Sequence, residues 1–486
     1  MKTKISGRYV VGFDDTRQEH VIYRNGEVVF EGDTILYVGK SYEGAVDRVI
    51  DASRCLISPG LINMHALMDV GIHPPLLDIG KRSGMYRPRN WVVAEGEPPV
   101  FTPEEVRAGA EHTFLSMLRS GVTTFCGINA MVFKRFDDPV WEPEIYVETA
   151  VRYGLRAYLS HHFRAGAQYV QEDGSPGWVW DEERGFRGLE RNIAFIKKHH
   201  GGYGGRIYGL LFPYTTDQVT PELLRATREA ATELGVGIRM HFAQSDYELQ
   251  LIAERHGGKT PVEYLESLGF LGSDVMLTHA LLGRGTDGEM SDGELATLAE
   301  HGVTVTNCPW IYSMRGSYLR SISRYLDAGI NVCLGTDTQP DDILREMRFG
   351  AIMGKVAHTS AQQATARDVY NAVTVNAAKY LRRDDLGRLA SGSKADITVV
   401  DLDRPSLSAQ DDPIRSLVYF ASMADVKQVF SGGRLVVDDF RCPLVDEAEV
   451  SRASQEVAVK VRETLAGWDR SSTTVEAFFP PSFEMH

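Results

Sequence analysis

The chain has 486 residues, of which 43% are hydrophobic and 24% are charged, and its formal net charge is -14. This length and composition are typical of an ordinary globular protein with one large domain and a smaller one. The acidic balance argues against nucleic acid as a partner, and no apolar run is long enough to span a bilayer.

The N-terminus and the cysteines bear on the cellular compartment. The first residues, "MKTKISGRYVVGFDD", lack the apolar core of a signal peptide. The five cysteines are scattered and show no CxxC spacing. They are typical of reduced core thiols rather than of disulfides or a thiolate metal site. We therefore expect a cytoplasmic protein.

Both ends of the chain carry short strand patterns separated by turns. Near the N-terminus, "HVIYRNGEVVF" has Asn25-Gly26 between two apolar runs, which predicts a hairpin turn, and "DTILYVGK" predicts a further strand. Near the C-terminus, "KADITVVDLD" and "VKQVFSGGRLVVDD" predict strands, the second with a turn at Gly432-Gly433. Together these segments predict a small β-sandwich domain composed of residues 1–58 and 390–445.

Between these ends, apolar runs alternate with helical patterns. Thr102-Pro103 and Thr220-Pro221 are typical helix starts, because threonine caps a helix and proline fits its first turn. Strands that alternate with helices predict an α/β fold, a (β/α)8 TIM barrel over residues 59–389. Residues 446–486 are predicted to form a C-terminal helix and a tail that contacts a surface or a neighbouring subunit. The eight apolar runs are "LISPGLINMHA", "GVTTFCGI", "LRAYLSHHF", "RIYGLLFPY", "VGIRMHFAQ", "DVMLTHALLG", "GVTVTNCPW" and "NVCLGTDT".

Residues that bind metals stand at the ends of four of these runs. His65, His241 and His279 end the first, fifth and sixth runs, and Asp337 ends the eighth. The C-terminal ends of barrel strands meet at the face where active sites lie. Imidazole and carboxylate together suit zinc, cobalt, iron or manganese.

The motifs "SPGLINMH", "MHFAQS", "LTHALLG", "LGTDT" and "GRLASGSKADITVVDLD" resemble, in this order, the metal-dependent amidohydrolase superfamily. The later part of the chain looks like the branch that holds the triazine hydrolases and the cytosine, guanine and adenosine-type deaminases. The resemblance implies a barrel with a β-sandwich, a small-molecule substrate and a homo-oligomer. It also implies one divalent metal, with zinc as the first expectation and cobalt, manganese or iron as alternatives. The implied ligands are His65, His241 and Asp337, with His279 contacting the substrate, the metal or its water.

The strand-1 motif departs from the family pattern, because Leu67 stands where a second histidine is expected. Asn63, His65 and Leu67 share one face of the strand, so the Asn63 amide oxygen could replace the lost ligand. The other interpretation is that Asn63 is an ordinary strand residue. An Asn-x-His motif resembles the phenylurea hydrolases and the molinate (thiocarbamate) hydrolase, which implies herbicide-like xenobiotic substrates.

A second departure is Gln244, which stands where the deaminases of this branch have a glutamate that moves protons. An amide can orient a substrate but cannot transfer a proton. This favours hydrolysis of a carbonyl group in a urea, carbamate, thiocarbamate or amide, with cleavage of a C–N or C–S bond by water that the metal activates. Asp337 would carry the proton to the leaving group and His279 would stabilise the oxyanion.

The substrate-binding residues are predicted from loop position. They are His161, His162, Phe242, Trp310, Tyr312 and Met314. Two other functions remain open. One is an aminohydrolase or dechlorinase of an N-heterocycle, triazine-like or pyrimidine-like, in which Asp246 or Glu248 replaces the missing glutamate. The other is a metal-free binding protein without catalysis.

Overall fold

The computed structural model describes residues 1–69, 78, 87–93, 100–129, 133–171, 173–285, 288–317, 319, 322–408, 411–468 and 474–485. The strands of this part of the chain are β1 (Lys2–Asp14), β2 (Glu19–Glu31), β3 (Thr34–Gly39), β4 (Arg48–Pro59), β5 (Leu61–Leu67), β6 (Val122–Ile128), β7 (Arg156–Leu159), β8 (His162–Phe163), β9 (Gly166–Val170), β10 (Pro176–Trp180), β11 (Ile207–Gly209), β12 (Phe212–Pro213), β13 (Ile238–Phe242), β14 (Val275–His279), β15 (Thr304–Asn307), β16 (Asn331–Leu334), β17 (Ile397–Asp401), β18 (Val426–Ser431) and β19 (Arg434–Val437). The helices are α1 (Arg89–Val93), α2 (Pro103–Arg119), α3 (Glu142–Tyr153), α4 (Glu182–His199), α5 (Gly202–Gly205), α6 (Pro221–Leu234), α7 (Asp246–Arg255), α8 (Pro261–Ser267), α9 (Asp292–Glu300), α10 (Pro309–Met314), α11 (Ile322–Asp327), α12 (Ile343–His358), α13 (Ala366–Ala372), α14 (Val375–Tyr380), α15 (Pro413–Phe420), α16 (Glu447–Gly467) and α17 (Val475–Phe478).

Strands from both ends of the chain form one sheet. Its seven strands lie in the order β19-β18-β17-β4-β1-β2-β3. β1 pairs with β4 in parallel and with β2 antiparallel, and β17 joins β4 antiparallel. Ile5, Val28, Ile397 and Phe430 belong to one buried cluster of this sheet. The two ends of the chain therefore share a hydrophobic core, while the predicted sandwich form and its domain boundaries stay predictions.

The hairpin predicted at Asn25-Gly26 is wrong. β2 runs through both residues, and Gly26 pairs with Gly7 of β1. A Cβ on Gly26 would lie 3.0 Å from the carbonyl oxygen of Gly39, so glycine here permits close packing rather than a turn. The turn at Gly432-Gly433 is confirmed: it joins β18 to β19, with φ values of 54° and 73°.

Each of the eight predicted apolar runs contains a strand with a parallel neighbour. These strands form two four-stranded sheets, in the order β11-β7-β6-β5 and β13-β14-β15-β16, and β8 pairs with β12. Isolated parallel bridges join the two sheets, Ala66 with Asp337 at one side and Leu211 with Ile238 at the other. This is the order of strand pairs that the barrel prediction requires.

The two predicted helix starts are confirmed. The Thr102 side chain accepts the N–H of Glu105 at the start of α2, and the Glu105 side chain accepts the N–H of Thr102 in return. Thr220 caps α6. Helices such as α2 pack their apolar side against the strands, where the rings of Phe114 and Phe125 lie 4.9 Å apart.

The C-terminal segment folds back on the chain. α16 begins after Asp446, which caps it through the N–H groups of Ala448 and Glu449. Val461 of α16 shares a buried cluster with Phe133 and with Phe478 of the tail. A helix thus follows Asp446, and the tail after it contacts a surface of its own chain.

Two further observations concern the cellular setting. None of the helices in the described ranges has the length and apolarity needed to cross a bilayer. All five cysteines are free and buried.

Candidate metal centre and active-site cavity

Three histidines from different strands meet at one edge of the parallel sheets. His65 belongs to β5, His241 to β13 and His279 ends β14. One nitrogen of each can be chosen so that all three lie within 4.8 Å of one another, and all three residues are buried. They meet because parallel strands bring their C-terminal ends to the same edge. The fold thus brings together three histidines that the sequence predicts as ligands, although the first and the last, His65 and His279, lie 214 residues apart in the chain.

Asp337 joins this cluster from the segment after β16. Its carboxylate Oδ1 lies 3.5 Å from His65 Nε2. Its backbone N–H donates to the His65 carbonyl oxygen at 2.8 Å, and its own carbonyl oxygen accepts the Leu67 N–H at 2.6 Å. These backbone bonds hold the carboxylate beside β5.

A backbone contact fixes the orientation of His241. Its Nδ1 lies 2.9 Å from the carbonyl oxygen of Tyr214. A carbonyl oxygen only accepts, so Nδ1 carries the proton and Nε2 presents its lone pair. Such a contact is typical of metal-binding histidines, since it sets the tautomer of the ring.

The charges in the cluster suit a cation. Burial lowers the pKa of His65, His241 and His279, that of His279 to about 3, so the imidazoles are neutral at pH 7. Burial raises the pKa of Asp337, but its interactions with His65, His279 and Arg315 outweigh burial and hold that pKa below its ordinary value. Neutral imidazoles beside an ionised carboxylate are the protonation states that metal binding needs.

Left-handed backbone occurs where the strands end at the site. Ala243, His279, Ala280 and Asp337 have φ values of 47°, 81°, 48° and 59°. Residues other than glycine adopt this region only at a cost in energy, and such strain concentrates at functional sites. Here it turns the chain sharply at the ends of β13, β14 and β16.

The packing around Gly335 explains why the "LGTDT" motif has a glycine at this position. A Cβ at this position would lie 2.6 Å from the Cβ and the backbone nitrogen of His65. Only glycine lets the end of β16 approach β5 this closely, and this approach places Asp337 beside His65.

The residues present fit a divalent metal. His65 Nδ1 and His279 Nδ1 are buried and have no hydrogen-bond partner among the described residues. Buried polar atoms without partners are rare unless a ligand serves them. Three imidazoles and a carboxylate are ligands that zinc prefers. The cluster can therefore hold a divalent metal ion such as zinc, cobalt, manganese or iron.

The structure does not support Asn63 as a metal ligand. The side-chain oxygen of Asn63 accepts the N–H groups of His65 and Thr336, each at 3.2 Å, and its Nδ2 donates to Thr336 Oγ1 at 2.9 Å. An amide oxygen has two acceptor sites, and backbone donors occupy both. Asn63 therefore ties β5 to the segment that carries Asp337.

A cavity of about 300 Å³ opens onto this cluster. Four of the predicted catalytic and substrate-binding residues line it: Asp337, His279, Gln244 and Tyr312. The predicted ligand His241 lines it too, as does Leu67, which stands in place of the expected second histidine. The Tyr312 hydroxyl lies 3.4 Å from Gln244 Oε1. The predicted residues that do not line it are His161, His162, Phe242, Trp310 and Met314.

The last five residues have other contacts. His162 Nδ1 lies 2.6 Å from Asp138, and the neighbouring His161 ring packs on Phe195. Phe242 points into the main hydrophobic cluster, because side chains alternate along β13 and His241 takes the other face. The predictions for these residues used loop position alone, which does not give the direction of a side chain.

Trp310 and Met314 were predicted with Tyr312 because all three follow β15. Trp310 packs on Phe349 with ring centroids 4.5 Å apart, and Met314 packs against the main cluster. α10 gives these residues different directions, and only Tyr312 of the three faces the cavity.

Sequence reasoning named Glu248 only as an alternative, and the structure places it in the cavity wall. Its carboxyl oxygens accept the N–H groups of Ala243 and Gln244 at 2.9 and 3.0 Å. Burial, with the nearby Asp217, raises the pKa of Glu248 to about 8. Asp246, the other alternative, is exposed at the start of α7.

Other cavity residues were missed entirely, among them Tyr214, Asp217 and Arg87. Tyr214 directly follows β12 and Asp217 lies four residues after it, so a search of every strand end and the loop behind it could have found them. Arg87 follows no predicted strand, and no pattern in the sequence indicates a site at this position.

The fold and the site define the class: an α/β protein with a buried histidine cluster for a metal at the C-terminal ends of parallel strands. A family model for the amidohydrolase family matches residues 56–436. The chain belongs to the amidohydrolase family, and the predicted superfamily is confirmed.

Related proteins and structures agree with this family. The chain is 30% identical to a 5'-deoxyadenosine deaminase of Methanosarcina mazei over 93% of this chain and 97% of that one. It is also 30% identical to a 5-methylthioadenosine/S-adenosylhomocysteine deaminase of Thermococcus kodakarensis, over 86% and 92%.

The fold is similar to that of an atrazine chlorohydrolase from Arthrobacter aurescens TC1 complexed with zinc, with a TM-score of 0.77, 22% identity and coverage of 94% and 99%. It is similar to an adenosine deaminase from Xanthomonas campestris with bound zinc, with a TM-score of 0.76, 20% identity and coverage of 95% and 98%. At this identity the likeness concerns the fold.

Proposed function

We propose that this protein is a metal-dependent hydrolase with a (β/α)8 barrel that removes an exocyclic amino group, or a comparable leaving group, from a carbon of an N-heterocycle. This proposal prefers the alternative from the sequence to the cleavage of a urea or thiocarbamate. The observation that carries it is Glu248, a buried carboxyl group in the same cavity as His241, His279 and Asp337.

The chemistry needs an acid near the ring. Water adds to the ring carbon, a ring nitrogen takes up a proton, and the exocyclic carbon–nitrogen bond then breaks to release ammonia. Gln244 cannot supply this proton. Glu248 can, because its raised pKa of about 8 keeps it protonated near pH 7. It therefore removes the objection that Gln244 raised against a deaminase.

The remaining residues have separate tasks in this proposal. His65, His241, His279 and Asp337 would hold a divalent metal, which when bound activates a water molecule. The Asp337 carboxylate is ionised, so it can accept a proton from the attacking water and pass it to the departing amino group, which leaves as ammonia. The hydroxyl proton of the adduct then restores the Glu248 carboxyl group. Gln244, beside the Tyr312 hydroxyl at 3.4 Å, orients the substrate through its amide.

The relatives support this choice of substrate class. The two deaminases that are 30% identical over most of their length act on adenine nucleosides by name. A purine-like or triazine-like ring is therefore the substrate class that we propose. The proposal also includes a homo-oligomer and a cytoplasmic location.

Carbonyl hydrolysis is the second candidate, and Gln244 favours it. A substrate such as a urea or a thiocarbamate needs no protonated ring nitrogen, and the amide of Gln244 would suffice to orient it. The phenylurea and molinate subgroup belongs to this candidate. Its support from Asn63 is weakened, since backbone donors occupy the Asn63 oxygen.

The test is a product panel with metal-loaded protein. Adenosine-type, pyrimidine and chlorotriazine compounds are assayed for ammonia or chloride, and phenylureas and thiocarbamates for amine or thiol. Ammonia or chloride supports the proposal, and release of amine or thiol alone moves the function to the second candidate.

Two variants then test Glu248. We expect Glu248→Gln to lower kcat by about 100-fold or more, in the range of a lost general acid. Glu254→Gln, at an exposed position of the same helix α7, is the matched control and should keep full activity. Unchanged turnover in Glu248→Gln would remove Glu248 from the proton path.

A further inference from the structure

A buried cation without an anionic partner lies in the cavity wall. Arg87 is 6% exposed and lines the same cavity as His279 and Asp337. Its Nε and Nη1 are buried without a hydrogen-bond partner, and Arg87 forms no ion pair with any residue in the described ranges. Burial lowers the pKa of Arg87, and among the described residues Tyr214 alone acts in the opposite direction.

A second buried arginine increases the local positive charge. Arg164 is 1% exposed, and within the described residues its guanidinium donates to neutral acceptors: the carbonyl oxygens of Phe136 and Arg135 and the side-chain oxygen of Gln218. Burial, and next to it the charge of Arg87, lower the pKa of Arg164 to about 9. The two guanidinium groups are therefore close enough to repel each other.

This arrangement costs folding energy unless a ligand compensates it. Guanidinium stays protonated in proteins, and its removal from water without a partner is strongly unfavourable. The carboxylates that act on Arg164 have other partners: Asp137 lies 3.3 Å from Arg184, and Asp138 is held by His162 and Lys134. A substrate that carries a negative charge would supply the missing partner each time it binds.

We propose that Arg87 determines substrate specificity by binding an anionic group of the substrate, a carboxylate or a phosphate. The planar guanidinium suits either oxyanion, because two parallel N–H groups can donate to two oxygens. This inference rests on the proposed function for the identity of the reacting ring, but the anion-binding step does not depend on turnover.

The first experiment measures anion binding by thermal shift of the metal-loaded protein, with inorganic phosphate in one arm and acetate in the other. We expect at least one anion to raise the melting temperature of the wild type. Arg87→Met should weaken that binding about tenfold or more, as expected for loss of a charge-assisted hydrogen bond. The control Arg225→Met removes an exposed arginine of α6 and should leave binding unchanged.

The two arms and the variants separate the outcomes. A response to phosphate alone identifies a phosphate-bearing substrate, and a response to acetate alone identifies a carboxylate. An anion that binds to the metal rather than to Arg87 would bind Arg87→Met as tightly as the wild type, which would overturn the proposal. No response of the wild type to either anion would overturn it as well.

Stability without any ligand gives an independent readout. If Arg87 is held for a ligand, Arg87→Met should melt at the same temperature as the wild type or higher, because an unpaired buried charge is removed. A clear loss of stability would mean a structural role. Arg87→Lys keeps the positive charge but loses the two parallel N–H groups of the guanidinium. This variant should fold and bind the anion several-fold more weakly than the wild type. The two proposals can fail separately. If Arg87→Met loses anion binding while the wild type turns over no N-heterocycle, this inference is supported and the proposed function alone is refuted.

Discussion

Asn63 offers a sharp test of the site, because a ligand role and a positioning role predict different losses. Replacement of Asn63 by alanine removes the acceptor for the N–H groups of His65 and Thr336, which lie at 3.2 Å, and the donor to Thr336 Oγ1 at 2.9 Å. Asn63 is fully buried, so water cannot replace these partners. Two orphaned backbone donors cost about 1–3 kcal/mol each, so the free energy of unfolding should fall by about 2–6 kcal/mol.

The assay combines the guanidinium unfolding midpoint with metal content per chain. We expect Asn63→Ala to unfold at a clearly lower denaturant concentration and, at saturating metal and native conditions, to bind as much metal as the wild type. Asn90→Ala, at an exposed asparagine of α1, is the control and should change neither quantity. A variant that loses its metal while its unfolding midpoint stays the same would show that Asn63 is a ligand after all. An unchanged midpoint with unchanged metal would refute the hydrogen-bond argument itself.

Two further predictions concern packing and pH. Gly335→Ala should lower the free energy of unfolding by about 1–3 kcal/mol and reduce metal binding, because its Cβ would lie 2.6 Å from His65. The control is Gly293→Ala, since a Cβ at that position contacts nothing within 4 Å. If Gly335→Ala melts at the same temperature as the control, this prediction is wrong. The raised pKa of Glu248 means that the folded protein keeps a proton that the unfolded chain releases between its ordinary pKa of 4.5 and about 8, so this group makes stability fall as pH rises through that window. Glu248→Gln should therefore show a smaller drop in melting temperature from pH 5 to pH 8 than the wild type, and an equal drop would count against a buried protonated Glu248.

The sequence was sufficient for the parts of the site that depend on strand periodicity. His65, His241, His279 and Asp337 stand at the ends of apolar runs, and parallel strands bring such ends together whatever the helices between them do. The eight runs could be found because buried parallel strands are continuously apolar. Local signals were weaker: Asn25-Gly26 is a good turn dipeptide, but pairing with β1 keeps it inside β2.

The directions of side chains outside the strands could not be predicted. Tyr312 and Trp310 are two residues apart in α10, yet only Tyr312 faces the cavity, since helical side chains point in directions set by the helix axis. Arg87 belongs to the long segment between β5 and α2, where no periodicity indicates what reaches the cavity. For Asn63 the strand pattern predicts the face that it shares with His65. Its hydrogen-bond partner Thr336 lies far along the chain, after β16, so the sequence around Asn63 does not reveal that contact.

The distribution of energetic costs argues that this cavity is still used. Arg87 is buried without an anion, Glu248 has a pKa raised by burial, and His279 and Asp337 hold left-handed backbone. Each of these features destabilises the folded chain, and single substitutions could remove each of them. An α/β protein of this family that had lost its chemistry would have no reason to keep them together in one cavity of about 300 Å³. Leu67 and Gln244 are therefore better explained as changes of substrate or of proton path than as decay into a metal-free binding protein.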